Sequence, residues 1–183
     1  MRVISGQARG RKLKEPIGSN VRPTSDKVKE SVFNIIQFDI EGRSVLDLFA
    51  GSGQYGIETL SRGAKNVAFV DSSSNSVKLI KENLKICELT DNAVVHKHDA
   101  IRYLEYTENY DLIFIDPPYD TKLTDKALEQ ITKLDKLNVN GIVICEIRKD
   151  SPTPIVELPY QLQKEYIYGG VKVIKYTRLD DEN

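Results

Sequence analysis

From residue 45 onward, short aliphatic runs alternate with amphipathic stretches, and this alternation leaves few folds open to the chain. VLDLF (45–49), NVAFVD (66–71), AVVHKHD (93–99), YDLIFID (110–116) and GIVICEIR (141–148) read as strands. Between them, GQYGIETLSRG (53–63), SVKLIKENLKICEL (76–89), AIRYLEY (100–106) and LTDKALEQITKLDKL (123–137) read as helices. In the second of these, Val77, Ile80, Leu84 and Cys87 recur at steps of three and four, the spacing of one helix face. Strand–helix alternation builds βαβ units, and strands apolar on both faces belong to a parallel sheet covered by helices on both sides. The expected fold is therefore α/β, a mostly parallel, doubly wound sheet. After a proline-marked break at SPTPIVELP (151–159), QLQKEYIYG (161–169) and VKVIKYTRL (171–179) meet at Gly169-Gly170, which predicts an antiparallel C-terminal hairpin.

The first residues fall outside this pattern. Val3-Ile4, Leu13 and the spacing of Gly6 and Gly10 suggest a small N-terminal β-hairpin. SDKVKESVFNII (25–36) reads as a helix capped by Ser25 or Thr24, with Val28, Val32, Phe33 and Ile36 facing inward. Residues 1–30 hold eight Lys/Arg against three acids, while the whole chain has a net charge of −1. A basic end on an acidic body suits a polyanionic partner. With 40% hydrophobic and 29% charged residues the chain is neither disordered nor membrane-embedded, and no apolar run approaches the roughly 20 residues of a bilayer span. MRVISGQARGRK lacks the apolar core of a secretory signal. Cys87 and Cys145 sit in apolar contexts and read as small core residues of a reduced, cytoplasmic protein.

Two motifs carry chemistry. DLFAGSGQYG (47–56) places Gly51, Gly53 and Gly56 as G-x-G-x-x-G between a strand and a helix, and Asp71 ends the next strand. That spacing is a nucleotide fingerprint in which the acid takes ribose hydroxyls. Asp47, inside the strand, disfavours a nearby pyrophosphate and favours a cationic ligand. S-adenosylmethionine fits: it has a sulfonium and an amino group, no phosphate, and a carboxylate that a helix N-terminus can meet. Asp99, at the end of the third strand, is placed for the adenine amine. The second motif is IFIDPPYD (113–120), in which Asp116 ends the fourth strand. Its prolines stiffen the turn and leave carbonyl acceptors beside the carboxylate, and Tyr119 adds a stacking ring. Such a set suits a planar exocyclic base amine, whose protons are accepted while its lone pair is turned toward a methyl donor. The base must then come from an unpaired loop or leave its helix.

DPPY together with DLFAGSG resembles the class I amino-group methyltransferases dependent on S-adenosylmethionine. RVISGQARGRKLKEP (2–16), RPTSDKVKESVFNII (22–36), VLDLFAGSGQYGIETLSRGA (45–64) and FIDPPY (114–119) resemble, more closely, the RsmD family, over residues 2 to about 178. That family methylates N2 of a guanine in bacterial 16S ribosomal RNA. The resemblance implies a Rossmann-like class I fold and a partner in 16S rRNA, within the small ribosomal subunit or its assembly intermediate. It implies that Asp47, Phe49, Ala50, Gly51, Ser52, Gly53 and Gly56 bind the methionine side of the cofactor, Asp71 and Ser72 the ribose, and Asp99 and Ala100 the adenine. Asp116, Pro117 and Tyr119 would hold the amine, with Asp116 also near the cofactor. Arg9, Arg11, Lys12, Arg22 and Lys27 would touch RNA, residues 1–22 forming a basic extension to a methyltransferase domain at 23–183. Asp71 stands where the family more often has glutamate, Thr59 where it has alanine, and His98 where a glycine is common. His96 and His98 share a strand face, but no further ligands complete a metal site, and no metal is expected. A DNA adenine-N6 methyltransferase is the alternative, since DPPY serves that amine too, though the chain leaves little room for target recognition. A non-catalytic nucleotide-binding module or an NAD-dependent oxidoreductase is the third reading, and Asp47 and DPPY oppose the oxidoreductase.

Overall fold

A computed structural model describes residues 1–16, 26–119 and 121–180. The proposed caps Thr24 and Ser25, and Arg22, lie outside the described residues. The elements run α1 (Asp26–Ile35), β1 (Ser44–Asp47), α2 (Gln54–Ser61), β2 (Asn66–Asp71), α3 (Ser74–Cys87), β3 (Ala93–Lys97), α4 (Ala100–Tyr103), β4 (Tyr110–Ile115), α5 (Leu123–Lys133), β5 (Leu137–Arg148), β6 (Tyr160–Tyr168) and β7 (Val171–Arg178). They form one seven-stranded sheet in the order β3-β2-β1-β4-β5-β7-β6. The first five strands pair in parallel, and β7 and β6 add antiparallel to β5. The expected α/β architecture with a C-terminal hairpin is what the chain adopts.

Alternation along each strand divides the core in two. Val45, Val67, Phe69, Leu112 and Phe114 face α1, α2 and α3, while Leu46, Val70, Ile113 and Ile115 face α4 and α5. Where strand order reverses, between β1 and β4, the carboxyl ends of the five parallel strands open on one edge, the usual ligand crevice of such sheets.

Two boundaries differ most from expectation. The helix expected over 123–137 stops at Lys133. Leu134 and Leu137 continue its apolar period, but Asp135 turns left-handed at φ 48°. Its carboxylate is held there by Arg178 Nε at 2.7 Å and the Tyr160 hydroxyl at 2.9 Å. Strand β5 accordingly begins at Leu137 rather than 141, and its register against β4 shifts between Tyr110↔Leu137 and Leu112↔Ile142.

The N-terminal hairpin forms: Arg2 and Lys12 bridge antiparallel, and Gly10 N–H donates to Val3 O at 2.9 Å. It is not a loose arm. Val3, Ala8 and Leu13 are buried in the core on the α1–α3 side. Glu58 of α2, fully buried, accepts the N–H groups of Ile4 (2.7 Å) and Ser5 (2.9 Å) and the Nε of Arg62 (2.8 Å). Lys29 of α1, also fully buried, donates to Arg2 O and lies 3.8 Å from Glu58. Burial pushes the Lys29 ammonium below its ordinary range, and Glu58 opposes that. Gly6 adopts φ 81° hard against α2, where a Cβ would fall 1.8 Å from Ser61 O, so only glycine fits.

Candidate active site

The turn after β1 separates the roles of its three glycines. Gly51 has φ 54°, and a Cβ there would meet only Phe49 O, at 3.9 Å. A Cβ on Gly53 would lie 3.3 Å from Ile57 and Ile80, and one on Gly56 only 2.2 Å from Phe69. Gly51 therefore borders open space where a ligand can approach the backbone. Gly56 instead lets α2 pack tightly on β2.

Asp47 is 3% exposed, and its Oδ2 accepts the Gly56 N–H at 2.9 Å. Burial pushes its carboxyl up to about 7; the Gly56 N–H pulls it down, and the charge of Asp71 adds to the rise. Part of its work is thus to hold the first turn of α2. Asp71 Oδ2 accepts the Gly51 N–H at 2.9 Å and Oδ1 the Ser73 N–H at 2.8 Å. Asp99 caps α4, accepting the Arg102 N–H at 2.9 Å. A carboxylate has about four lone-pair sites, so these backbone bonds leave acceptor capacity for a ligand. Ser72 is exposed, Ala100 is buried at the start of α4, Ala50 is buried, and Phe49 packs on the α4–α5 side. Ser52 is mostly buried, and its carbonyl accepts from Asn83 at 2.9 Å.

Beside this turn, on the neighbouring strand, β4 delivers the second motif. Leu48 N–H donates to Phe114 O at 3.1 Å, so the two strands end together. Asp116 is half-buried, Pro117 buried, Pro118 exposed and Tyr119 half-buried. The Pro118 carbonyl is not simply open, because Thr121 Oγ1 donates to it at 2.8 Å. Nor is Tyr119 only a ring. Its hydroxyl donates to Glu146 Oε1 at 2.8 Å, and the Arg148 guanidinium lies over its ring, 5.3 Å from the centroid. Burial first, then Glu146, push that hydroxyl far above the ordinary tyrosine range. Sequence reading missed Glu146; its signal was an acid inside the aliphatic run GIVICEIR. Asn83 was missed likewise, a polar residue on the buried face of α3. It donates to Ser52 O and Lys14 O and accepts the Lys14 N–H, tying the hairpin to the glycine turn.

The basic residues divide. Arg9, Lys12 and Lys27 are exposed. The Arg11 guanidinium is engaged by Glu88 at 2.9 Å and Ile86 O at 3.1 Å, which fastens the hairpin to the end of α3. His96 and His98 each lie against Tyr103, with ring centroids 4.9 and 6.1 Å apart. Among the described residues no three metal-ligating side chains cluster, and no helix is long and apolar enough to cross a membrane. Cys87 and Cys145 are buried and unbridged.

A doubly wound sheet whose crevice joins a glycine turn, acids at successive strand ends and an Asp-Pro-Pro-Tyr loop defines a class I S-adenosylmethionine-dependent methyltransferase. The profile of the family described as "Conserved hypothetical protein 95", the RsmD family, matches residues 1–177, and the chain belongs to that family. It is similar to the "Putative rRNA methyltransferase YlbH" of Bacillus subtilis, 40% identical, covering 96% of this chain and 98% of that one. It is also similar to the ribosomal RNA small subunit methyltransferase D of Haemophilus influenzae, 35% identical, covering 96% and 93%. A solved structure from Escherichia coli, the "Putative methyltransferase yhhF", superposes with a TM-score of 0.87 at 28% identity, covering 99% of both chains.

Proposed function

We propose that this enzyme transfers the methyl group of S-adenosylmethionine to the exocyclic N2 amine of a guanine in 16S rRNA, acting in the cytoplasm on the small ribosomal subunit or its assembly intermediate. The observation that carries the reading is the adjacency of the open Gly51 turn and the Asp116–Tyr119 loop at the ends of paired strands β1 and β4. The names of the relatives support an rRNA target, and they do not favour DNA adenine.

The residues present fit the cofactor. Gly51 leaves room over the turn, and Asp47, Asp71 and Asp99 lie at the ends of successive strands, where Asp71 would take the ribose and Asp99 the adenine. When bound, the cofactor supplies an electrophilic methyl group on a sulfonium. Asp116 accepts one N–H of the target amine, and the Pro117 carbonyl the other, since Pro118 already bonds Thr121. This holds the nitrogen lone pair toward the crevice. Asp116 receives the proton as the amine becomes acidic during attack. Tyr119 supports the extruded base by stacking. Incubation of rRNA or subunits lacking the modification with labelled cofactor, then nucleoside mass spectrometry, tests the reading. N2-methylguanosine is expected; label on adenine N6 overturns it.

The high carboxyl of Asp47 makes cofactor binding pH-dependent. Below pH 7 the group keeps its proton, and above it is charged. A cationic ligand prefers the charged form, so binding releases a proton, and affinity strengthens as pH rises from about 6 to 8. Calorimetry in two buffers of different ionisation enthalpy reads that proton, and Asp47→Asn abolishes the dependence.

The exposed basic residues predict a salt effect. Arg9→Ala with Lys12→Ala should flatten the slope of log affinity for RNA against log salt by about 1 to 2, one lost phosphate contact each. These substitutions spare Val3, Ala8 and Leu13, which a deletion of the hairpin would strip from the core. An unchanged slope would remove Arg9 and Lys12 from the RNA surface.

A further inference from the structure

Glu146 is almost fully buried, 3% exposed, on β5. A carboxylate is costly to bury unless its oxygens are bonded. Here Oε1 accepts the Tyr119 hydroxyl and Oε2 the Tyr55 hydroxyl, each at 2.8 Å. Tyr55 lies in the first turn of α2, directly after the glycine turn, and stacks on Phe114 of β4 at 5.0 Å with the rings 14° apart. One side chain thereby joins the helix that borders the cofactor crevice to the loop that carries Asp116. Two residues further along the same face of β5, Arg148 lies over the Tyr119 ring. Tyr119 is thus gripped from β5 at two points, its hydroxyl and one face.

We propose that Glu146 is a positioning residue for methyl transfer: it fixes the Tyr119 ring at the angle that receives the target base and couples that angle to α2. A hydrophobic side chain would fill the same strand position without the cost of a buried charge. What the carboxylate adds is direction, because two charge-assisted bonds hold two rings in one arrangement. A ring without the hydroxyl anchor turns more freely about its Cα–Cβ bond, and the base it supports then meets Asp116 less often in the reactive pose. Arg148 covers one face, so the base stacks on the other, and the guanidinium holds the ring against it.

The inference rests on the reading of Tyr119 as the base platform, and the test separates the two. The turnover of Tyr119→Phe, Glu146→Gln and the double variant is measured on the rRNA substrate, with cofactor affinity by calorimetry. Each single change should lower kcat about five- to tenfold, the scale of one ordinary hydrogen bond. The double variant should be no slower than the slower single one, because both act on one bond. Cofactor affinity should stay within about twofold of the parent. Multiplying effects, a fully active Glu146→Gln, or a parallel loss of cofactor affinity would overturn the proposal by showing a general structural role. If Glu146→Gln does not fold, Tyr119→Phe cuts the same bond from its other end, and full kcat there overturns it as well. A fully active Tyr119→Ala sinks the base-platform reading and this inference together. A slow Tyr119→Ala beside a fully active Glu146→Gln sinks this inference alone.

Discussion

Asp116→Ala is expected to lose about a thousandfold in kcat while binding the cofactor within a few-fold of the parent. The asymmetry follows from where the carboxylate stands. It directly follows β4, beside the glycine turn yet outside it, while Asp71 bonds the Gly51 N–H of that turn and Asp47 the Gly56 N–H in the first turn of α2. Removing it should leave the proposed cofactor contacts in place and take away the proposed acceptor that matters as the amine attacks. Asp116→Asn keeps a carbonyl acceptor but also presents an amide donor to the amine, and should fall between the two. Single-turnover transfer of a labelled methyl group measures the loss. An Asp116→Ala enzyme within tenfold of the parent would make this acid a scaffold of the turn.

The second large effect is on stability. Glu58→Ala should cost about 4 kcal/mol, the range for breaking a buried ion pair by removing one partner. The truncation strands the Ile4 and Ser5 N–H groups and leaves the buried Lys29 ammonium without its carboxylate. Burial already pulls Lys29 toward its neutral form, and removing Glu58 takes away the largest charge opposing that, leaving Asp26 as the next. Adding Lys29→Met should recover part of the loss, since an apolar chain no longer needs the partner. Urea unfolding of both variants reads the two quantities. A loss under about 1 kcal/mol would show that the hairpin is held by its apolar residues Val3, Ala8 and Leu13 and its ties to Ser61, Asn83 and Glu88 rather than by Glu58.

The sheet and its reactive edge were legible because both depend on local pattern. An aliphatic run that stops at Asp71 or Asp116 states strand, end and polarity at once, and alternation with helices sets the parallel order. The parts that escaped depend on partners far along the chain. Glu58 and Asn83 sit in amphipathic helices where a polar residue ordinarily faces water, and their hairpin partners lie 53 to 69 residues away. Glu146 was visibly odd in its strand, but Tyr119 and Tyr55 are 27 and 91 residues from it. The overlong helix at 123–137 has the same origin. Leu134 and Leu137 keep the helical period, and the break at Asp135 is enforced by Arg178, 43 residues on.

The stitching of the hairpin to α2 and α3 also sets an order of events during synthesis. The hairpin leaves the ribosome ahead of its partners at Glu58, Ser61, Asn83 and Glu88, the last 77 residues downstream of Arg11. Closing so long a loop is entropically unfavourable until the helices rest on their strands, so the hairpin docks after the βαβ units assemble. Contacts made that late are absent from the folding transition state. Substitutions at Gly6 or Ser61 should therefore speed unfolding and leave the folding rate nearly unchanged. The basic N-terminal surface thus becomes fixed only once the crevice behind it has been built.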